Sequence, residues 1–261
     1  MAETVSLRVD AHIAHVELNR PSKYNALSFD MFGELAEVGD RIAADTSVRA
    51  VVLSGAGDNF CAGIDTSIFG GQVDFRAALE PCAPSPANVF QRAAFVWREV
   101  PVPVVCAMHG VAFGAGLQLA LGADIRYAAP SATMSILEVK WGLVPDIALS
   151  VLARYVSPAD KLRELAYTGR VLDADEAQAV GLVTAVADDP LAKARETAAA
   201  IAGRSPDAIR AMKRLFNEAW EMSTEDSLRL EAALQIGVMG GENQREAVAA
   251  NMEKRAPDFK D

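Results

Sequence analysis

Two short segments, FCAGID at residues 60–65 and GVAFGAG at residues 110–116, determine the fold prediction for this chain. Each follows an apolar run typical of a buried strand, at residues 50–54 and 102–108. Each is rich in glycine and alanine, so another group can approach the main chain closely. Two such loops after neighbouring strands can direct two main-chain N–H groups at one oxygen atom. The sequence therefore predicts an oxyanion hole, which stabilises negative charge developing on a carbonyl.

The glycine loops do not fit the common nucleotide-binding motifs. The pattern G-x-G-x-x-G needs a third glycine, but Leu119 stands there in the segment that begins at Gly114, and Phe60 stands there in the segment that begins at Gly55. The Gly-Lys-Ser/Thr of a P-loop follows neither segment. The remaining alternative is that both loops are tight strand-to-helix turns without chemistry.

The composition indicates a globular protein with one large domain or slightly more. The chain has 261 residues, 51% of them hydrophobic, and a net charge of −10. Such an acidic balance argues against nucleic acid or an anionic membrane as a general partner. No apolar run reaches membrane-spanning length, and the N-terminus does not resemble a signal peptide. Three cysteines without CxxC spacing predict reduced thiols and a cytoplasmic location.

The pattern of predicted secondary structure changes near residue 190. Before it, short apolar strands alternate with amphipathic helices, which predicts an α/β core over residues 1–190, interrupted by a turn-rich flap at 70–85. After it, the pattern predicts helices alone over residues 191–261. These helices carry more apolar side chains than four short segments can bury, so a subunit interface is expected there.

Several further segments occur in series with the two glycine loops. They are NRPSKYNAL at 19–27, ADIR at 123–126, EVKWGLVP at 138–145 and GLV at 181–183. In order and spacing, the whole set resembles the enoyl-CoA hydratase/isomerase (crotonase) superfamily over nearly the entire chain. The resemblance implies an α/β, crotonase-like spiral of ββα units with a C-terminal helical oligomerisation region, assembled as a homotrimer or a dimer of trimers. It also implies an acyl-CoA substrate and no cofactor or metal.

The resemblance assigns roles to residues of both loops. By position it implies that the N–H groups of Cys61 and Ala115 form the oxyanion hole, where the family usually has glycine at the second position. The residues expected to contact the CoA or acyl portion are Arg20, Lys23, Ala62, Gly63, Ile64, Asp65, Gly114 and Trp141. Lys254 or Lys260 of a neighbouring subunit is a further candidate.

The acid–base residues implied by the resemblance favour one reaction over another. Hydratases of this family generally carry two glutamates in the site. Here the first position is Gln118 and the second is Glu138. The Gln118 amide cannot exchange a proton at neutral pH. Asp146 stands where some isomerase-like and dehalogenase-like relatives have an acid. Two carboxyl groups in an apolar pocket have separated pKa values, so one can accept a proton while the other donates it. This favours double-bond isomerisation.

Three alternatives stay open at this stage. Glu138 and Gln118 could orient a water molecule for hydration. Asp146 could simply cap a helix that begins at Ile147. The chain could also bind acyl-CoA without turning it over. Neither a metal site nor a Ser-His-Asp arrangement is indicated, because His12, His15 and His109 lack suitable partners at ligand spacing.

Overall fold

The computed structural model describes residues 3–71 and 73–261. The strands are β1 Val5–Asp10, β2 Ile13–Leu18, β3 Ala50–Gly55, β4 Val104–Met108, β5 Val111–Phe113, β6 Ile125–Ala128, β7 Thr133–Ser135, β8 Leu172–Asp173 and β9 Ala185–Val186. The α-helices are α1 Phe29–Ala44, α2 Phe75–Ala78, α3 Val89–Glu99, α4 Ala115–Leu121, α5 Leu149–Leu152, α6 Ala159–Thr168, α7 Ala174–Ala179, α8 Pro190–Ala202, α9 Pro206–Glu218, α10 Thr224–Val238 and α11 Glu242–Glu253. Short 3-10 helices occur at Pro21–Lys23, Thr66–Gly70, Glu138–Trp141 and Ala219–Glu221.

The strands form two sheets. The larger has the order β1-β2-β3-β4-β6-β9, in which β1 and β2 pair antiparallel and the other neighbours pair parallel. The smaller has the order β5-β7-β8. Parallel strands covered on both faces read as continuous apolar runs, which explains the two runs that precede the glycine loops.

Both faces of the larger sheet are buried, and β3 shows how. Val51 and Leu53 belong to the main core, which also contains side chains of α1 and α3. Ala50 and Val52 point to the opposite face, where Ala194 of α8 belongs to the same cluster. The first helix of the predicted C-terminal region therefore covers the core sheet, and the segments that follow it lie outside that layer.

Helix α9 is attached to the core by one buried cation. The ammonium group of Lys213 donates hydrogen bonds to the carbonyls of Trp97 and Val102 at 2.8 Å each, and to Asp124 at 2.9 Å. Burial lowers the pKa of Lys213, while the neighbouring Asp124 opposes that shift. A buried charge is tolerated there because each of these acceptors compensates its lost hydration.

Helices α9 to α11 leave a large apolar surface uncovered in the single chain. Helix α10 has no buried residue among its described positions. Exposed large apolar side chains in this region are Phe216, Trp220, Leu228, Ile236, Met239 and Met252. This surface matches the expectation of a subunit interface, and the assembly itself stays a prediction. Among residues 3–71 and 73–261, every helix is too short or too polar to cross a lipid bilayer.

Local capping signals placed several helix starts correctly. The Ser28 side chain accepts the N–H of Met31 at 3.4 Å. The Asp173 carboxylate accepts the N–H of Glu176 at 2.8 Å and caps the start of α7. These signals work from sequence because donor and acceptor lie within one helical turn.

Two local expectations were incomplete. The helix that could begin at Ile147 starts only at Leu149, as the short α5, because Ala148 has a left-handed backbone (φ 61°) that a continuous helix cannot include. Asp146 therefore precedes the helix by several positions and does not cap it. The flap at 70–85 contains one helical turn, α2, capped by Asp74; residue 72 of this flap lies outside the described residues.

Candidate active site

A cleft of about 500 Å³ opens where residues 60–66 meet the start of α4. It lies at the ends of β3 and β4, because each glycine loop leaves the sheet at the same edge. The predicted site residues that line it are Lys23, Ala62, Gly63, Ile64, Asp65, Gly114, Ala115, Glu138 and Trp141. The two glycine loops, far apart in sequence, therefore form one site.

The Cys61 amide is not available to a ligand. Cys61 forms an isolated parallel bridge with Ala112, in which its N–H donates to the Val111 carbonyl at 3.0 Å and its carbonyl accepts the N–H of Phe113 at 3.0 Å. The prediction that Cys61 supplies an oxyanion-hole donor is therefore wrong. Its position in the motif was suitable, but the neighbouring strand segment uses its hydrogen-bonding groups.

The main chain at Ile64 is paired differently from that at Cys61. Leu27 donates its N–H to the Gly63 carbonyl at 2.8 Å and accepts the N–H of Asp65 at 2.9 Å. In such a parallel bridge the N–H of the central residue, Ile64, points to the opposite edge. Ile64 and Ala115 both line the cleft.

Neither the Ile64 nor the Ala115 N–H has an acceptor among the described residues. The Gly63 N–H also has no acceptor among these residues. The Gly63 carbonyl accepts the N–H of Leu27. A Cβ atom on Gly63 would lie 2.9 Å from the Phe113 carbonyl oxygen and 3.8 Å from the Ala115 nitrogen, so the turn packs directly against the start of α4.

Glycine is required at position 114 and is not required at 115. Gly114 has a positive φ of 50°, and a Cβ there would lie 3.0 Å from the Glu138 Oε1 atom. Ala115 is the first residue of α4 and is absent from the positive-φ positions of the described chain. An alanine side chain therefore fits at 115 and leaves the main-chain N–H in place.

Glu138 is held by Gln118 at the wall of this cleft. Glu138 begins a 3-10 helix and is 8% exposed. The Gln118 Nε2 group donates to Glu138 Oε1 at 2.6 Å, and the Gln118 Oε1 atom accepts the N–H of Ile147 at 2.9 Å. The other carboxylate oxygen, Glu138 Oε2, is buried without a partner in the described part of the chain. Burial raises the pKa of Glu138, and the charge of Asp146 raises it further.

Asp146 lies in a second, apolar pocket that adjoins the cleft. This pocket has a volume of about 170 Å³ and shares Ile64, Phe69 and Leu143 with the larger cavity. Phe75 and Phe90 stack against each other on its wall, with ring centroids 6.0 Å apart. Burial raises the pKa of the Asp146 carboxyl. Glu138 thus lines the larger cavity and Asp146 lines the adjoining one.

Arg20 does not line the cleft. Its guanidinium donates to the Ala26 carbonyl at 2.5 Å and to the Asp65 carboxylate at 3.0 Å. Arg20 thus holds the first motif to the loop at 60–65, which corrects its prediction as a direct CoA contact. Lys23 does line the cleft. Lys254 and Lys260 are not among the residues lining the cavity in the single chain, so a contact from a neighbouring subunit stays a prediction.

The Cys61 thiol is unreactive at neutral pH. It is fully buried, lies 3.1 Å from the Asn25 carbonyl, and has its pKa raised to about 12 by burial. A thiol with such a pKa stays protonated at neutral pH and is not a nucleophile. Within residues 3–71 and 73–261, no group of three or more His, Cys, Asp and Glu side chains is arranged to hold a metal ion.

Comparisons with known proteins agree with this architecture. A family model described as enoyl-CoA hydratase/isomerase matches residues 8–261. The chain is 33% identical over 267 residues to the human mitochondrial Delta(3,5)-Delta(2,4)-dienoyl-CoA isomerase, covering 96% of this chain and 80% of that protein. It is 32% identical over 259 residues to the enoyl-CoA hydratase EchA19 of Mycobacterium tuberculosis, covering 95% and 93%.

Solved structures show the same fold. The crystal structure of an enoyl-CoA hydratase from Bacillus anthracis superposes with a TM-score of 0.90 at 29% identity, covering 99% of both chains. A structure from Streptomyces coelicolor superposes with a TM-score of 0.90 at 30% identity, covering 99% of this chain and 94% of that one. The predicted α/β fold class with C-terminal helices is confirmed.

Proposed function

Because the chain belongs to the enoyl-CoA hydratase/isomerase family, we propose that it is an enzyme that moves a carbon–carbon double bond within an acyl-CoA thioester. The observation that carries the proposal is the placement of the two carboxyl groups. Glu138 lines the same cleft as the main-chain amides of Ile64 and Ala115, and Asp146 lines the adjoining apolar pocket. Such a pair can remove a proton at one carbon and return one at another.

The N–H groups of Ile64 and Ala115 would bind the thioester oxygen. A thioester has little resonance stabilisation, so its α-proton is comparatively acidic and an enolate is accessible. Two donors aimed at the oxygen stabilise that enolate, and each is worth about 3 kcal/mol by comparison with other oxyanion holes. The donors are main-chain groups held by the Leu27 bridge and by α4, so they need no reorganisation during the reaction.

Two proton transfers complete the isomerisation. The charged Glu138 carboxylate takes the proton from the α-carbon, and the electron pair of that C–H bond passes into the conjugated enolate. Protonated Asp146 then gives its proton to the distal carbon of the enolate, the double bond shifts by conjugation, and the thioester carbonyl re-forms. The proton on Glu138 returns to Asp146 through solvent before the next turnover. Burial raises the pKa of both carboxyls, which favours a pair that shares one proton.

The apolar pocket restricts the acyl group. Its volume of about 170 Å³ and its wall of Phe69, Phe75 and Phe90 suit a short or flat, conjugated chain. A saturated long chain would have to displace the aromatic wall. We therefore infer that 3-enoyl-CoA or 3,5-dienoyl-CoA thioesters are the substrates, in agreement with the name of the human relative.

Hydration of a 2-enoyl-CoA is the second candidate, and one observation favours it. The Glu138 Oε2 atom has no partner in the described residues and could hold a water molecule. Against it, both functional atoms of the Gln118 amide are already bonded, and an amide does not exchange protons at neutral pH.

The test is a substrate panel of crotonyl-CoA, a 3-enoyl-CoA and a 3,5-dienoyl-CoA. We expect turnover of a 3-enoyl or 3,5-dienoyl thioester that depends on Asp146. Rapid hydration of crotonyl-CoA that survives Asp146→Asn would reverse the order of the two candidates. Tight binding of these thioesters without turnover of any of them would instead indicate an acyl-CoA-binding protein.

We further infer a homotrimer or dimer of trimers in the cytoplasm. The apolar surface of α9 to α11 supports a subunit interface, and the buried, unpaired thiols of Cys61 and Cys106 are compatible with a reducing compartment. Sedimentation equilibrium of the whole chain tests the assembly, and a monomer at micromolar concentration would contradict it. The organisation into residues 1–190 and 191–261 remains part of the same proposal.

A further inference from the structure

We propose that Gln118 is a positioning residue that joins the two carboxyl groups of the site: its amide fixes Glu138 on one side and the backbone next to Asp146 on the other. The inference rests on the proposed function, because it concerns the same pair of acids. It departs from the expectation that Gln118 itself contacts the reacting group.

The orientation of the Gln118 amide follows from its surroundings. The side chain is 1% exposed, so water does not compete for its hydrogen bonds. A main-chain N–H can only donate, so the atom that faces Ile147 at 2.9 Å must be the amide oxygen. The amide NH₂ is then directed at Glu138, 2.6 Å away. The backbone of Ile147 therefore determines which end of the amide Glu138 meets.

On the Glu138 side, the bond holds one carboxylate oxygen and leaves the other available. Oε1 accepts from Gln118, whereas Oε2 has no partner in the described chain and can take a proton. Asp146 is the charged group whose field acts on Glu138, and it disfavours the carboxylate, as burial does. The hydrogen bond from Gln118 opposes both effects. Gln118 is the side chain that keeps Glu138 competent as a base.

On the Asp146 side, Gln118 holds the main chain directly after Asp146, while the Ile147 side chain packs into the main core. Ile147 directly follows Asp146, and α5 begins only after Ala148, which has no side-chain capping bond. The bond from the Ile147 N–H to Gln118 therefore ties this loop to α4. One buried side chain thus sets the separation of the two carboxyl groups, and a displacement of about 1 Å between reacting groups can cost about 100-fold in rate.

The test uses Gln118→Met, which keeps the length of the side chain and removes both hydrogen bonds. The Glu138 carboxyl is followed by carbon-13 NMR of glutamate-labelled protein over a pH series, with Glu138→Gln to assign its signal. We expect Glu138 to titrate at higher pH in Gln118→Met than in the natural chain, and the Ile147 amide to exchange with deuterium faster. With a 3-enoyl-CoA substrate, we expect kcat to fall about 100-fold, KM to change little, and the acid limb of the pH profile to move to higher pH.

Tyr127→Phe is the matched control. It also removes one hydrogen bond of a buried side chain, to Thr197, but between β6 and α8. We expect it to leave the Glu138 titration, the pH profile and kcat unchanged. If Gln118→Met did not fold, Gln118→Glu would serve. Its protonated acid can form both bonds, so the ratio of its activity to that of the natural chain should be near one at low pH and should fall as pH rises.

The outcomes separate this inference from the proposed function. An unchanged Glu138 titration in Gln118→Met, or an equal change in Tyr127→Phe, would overturn the positioning role whatever the activity. In Gln118→Glu, an activity ratio to the natural chain that does not decline with rising pH would overturn it as well. A natural chain that turns over neither enoyl thioester would refute the proposed function, while the NMR titration would still decide the role of Gln118.

Discussion

Replacing Glu138 by glutamine removes a proton carrier from the site and keeps the size of the side chain. The Gln118 hydrogen bond at 2.6 Å can be kept, because the new amide oxygen can occupy the position of Oε1. Loss of a well-placed general base costs about 10²- to 10⁴-fold in rate, or about 3–5 kcal/mol in activation free energy. We expect Glu138→Gln to lose this much in kcat on a 3-enoyl-CoA, with a small change in KM.

The same substitution has a signature in stability. Glu138 is protonated in both the folded and the unfolded chain at low pH. As pH rises from the unfolded pKa through the raised pKa of the folded state, the folded chain is penalised for the buried charge. The unfolding free energy of the natural chain therefore falls over that window relative to Glu138→Gln, by about 1.4 kcal/mol for each unit of pKa elevation.

The pH dependence is the quantity to measure, because glutamine brings an offset of its own. Its NH₂ group replaces Oε2, which has no partner in the described residues, and an unpaired buried donor costs about 1–3 kcal/mol. Urea unfolding at equal protein concentration, at several pH values above and below the ordinary glutamate pKa, gives the difference between the two proteins. The initial rate of 2-enoyl-CoA formation gives kcat.

Glu164→Gln is the control for both measurements. Glu164 is partly exposed and accepts hydrogen bonds from Arg170 that lower its pKa, so its contribution to stability is present at neutral pH and is lost as pH falls. Its variant should retain full activity and show a pH trend of the opposite sign. The reasoning is refuted if Glu138→Gln keeps more than about a tenth of kcat, or if its stability relative to the natural chain does not increase with pH.

Three further outcomes follow from the site. Asp146→Asn should lower isomerisation by about 100-fold or more while crotonyl-CoA binding, measured by calorimetry, stays the same; an unaffected rate would remove Asp146 from the mechanism. Ala115→Pro removes one donor at the first position of α4, where proline is tolerated, and should lower kcat by at least about 100-fold, whereas Ala115→Gly keeps the N–H and most of the activity. Cys61→Ala should keep kcat within about threefold and lose about 1–2 kcal/mol of stability in urea unfolding. The reason is that the buried thiol contributes only packing and the Cys61 amide already donates to Val111. A large loss of kcat at unchanged stability would return Cys61 to the catalytic residues.

The sequence alone determined the order of strands and helices, the glycine loops and the acids. These features depend on local rules: apolar periodicity defines β3 and β4, and side-chain caps such as Ser28 start helices within one turn. The motif resemblance then assigned Glu138, Gln118, Asp146 and Ala115 to one site. In the structure Glu138 and Ala115 line the cleft, Asp146 lines the adjoining pocket, and Gln118 is hydrogen-bonded to Glu138. The need for glycine at 114 is equally local, because its φ is positive.

The tertiary structure decided which groups remain available. A main-chain N–H is free to bind a ligand only if no neighbouring segment accepts it, and Val111 accepts that of Cys61 while that of Ile64 stays open. Likewise, the sequence allowed Arg20 to bind CoA, but in the structure Arg20 forms an ion pair with Asp65, which is far away in sequence. Pairings between distant segments leave no periodic trace in either partner, and so the identity of the donors and the role of Gln118 required the folded chain.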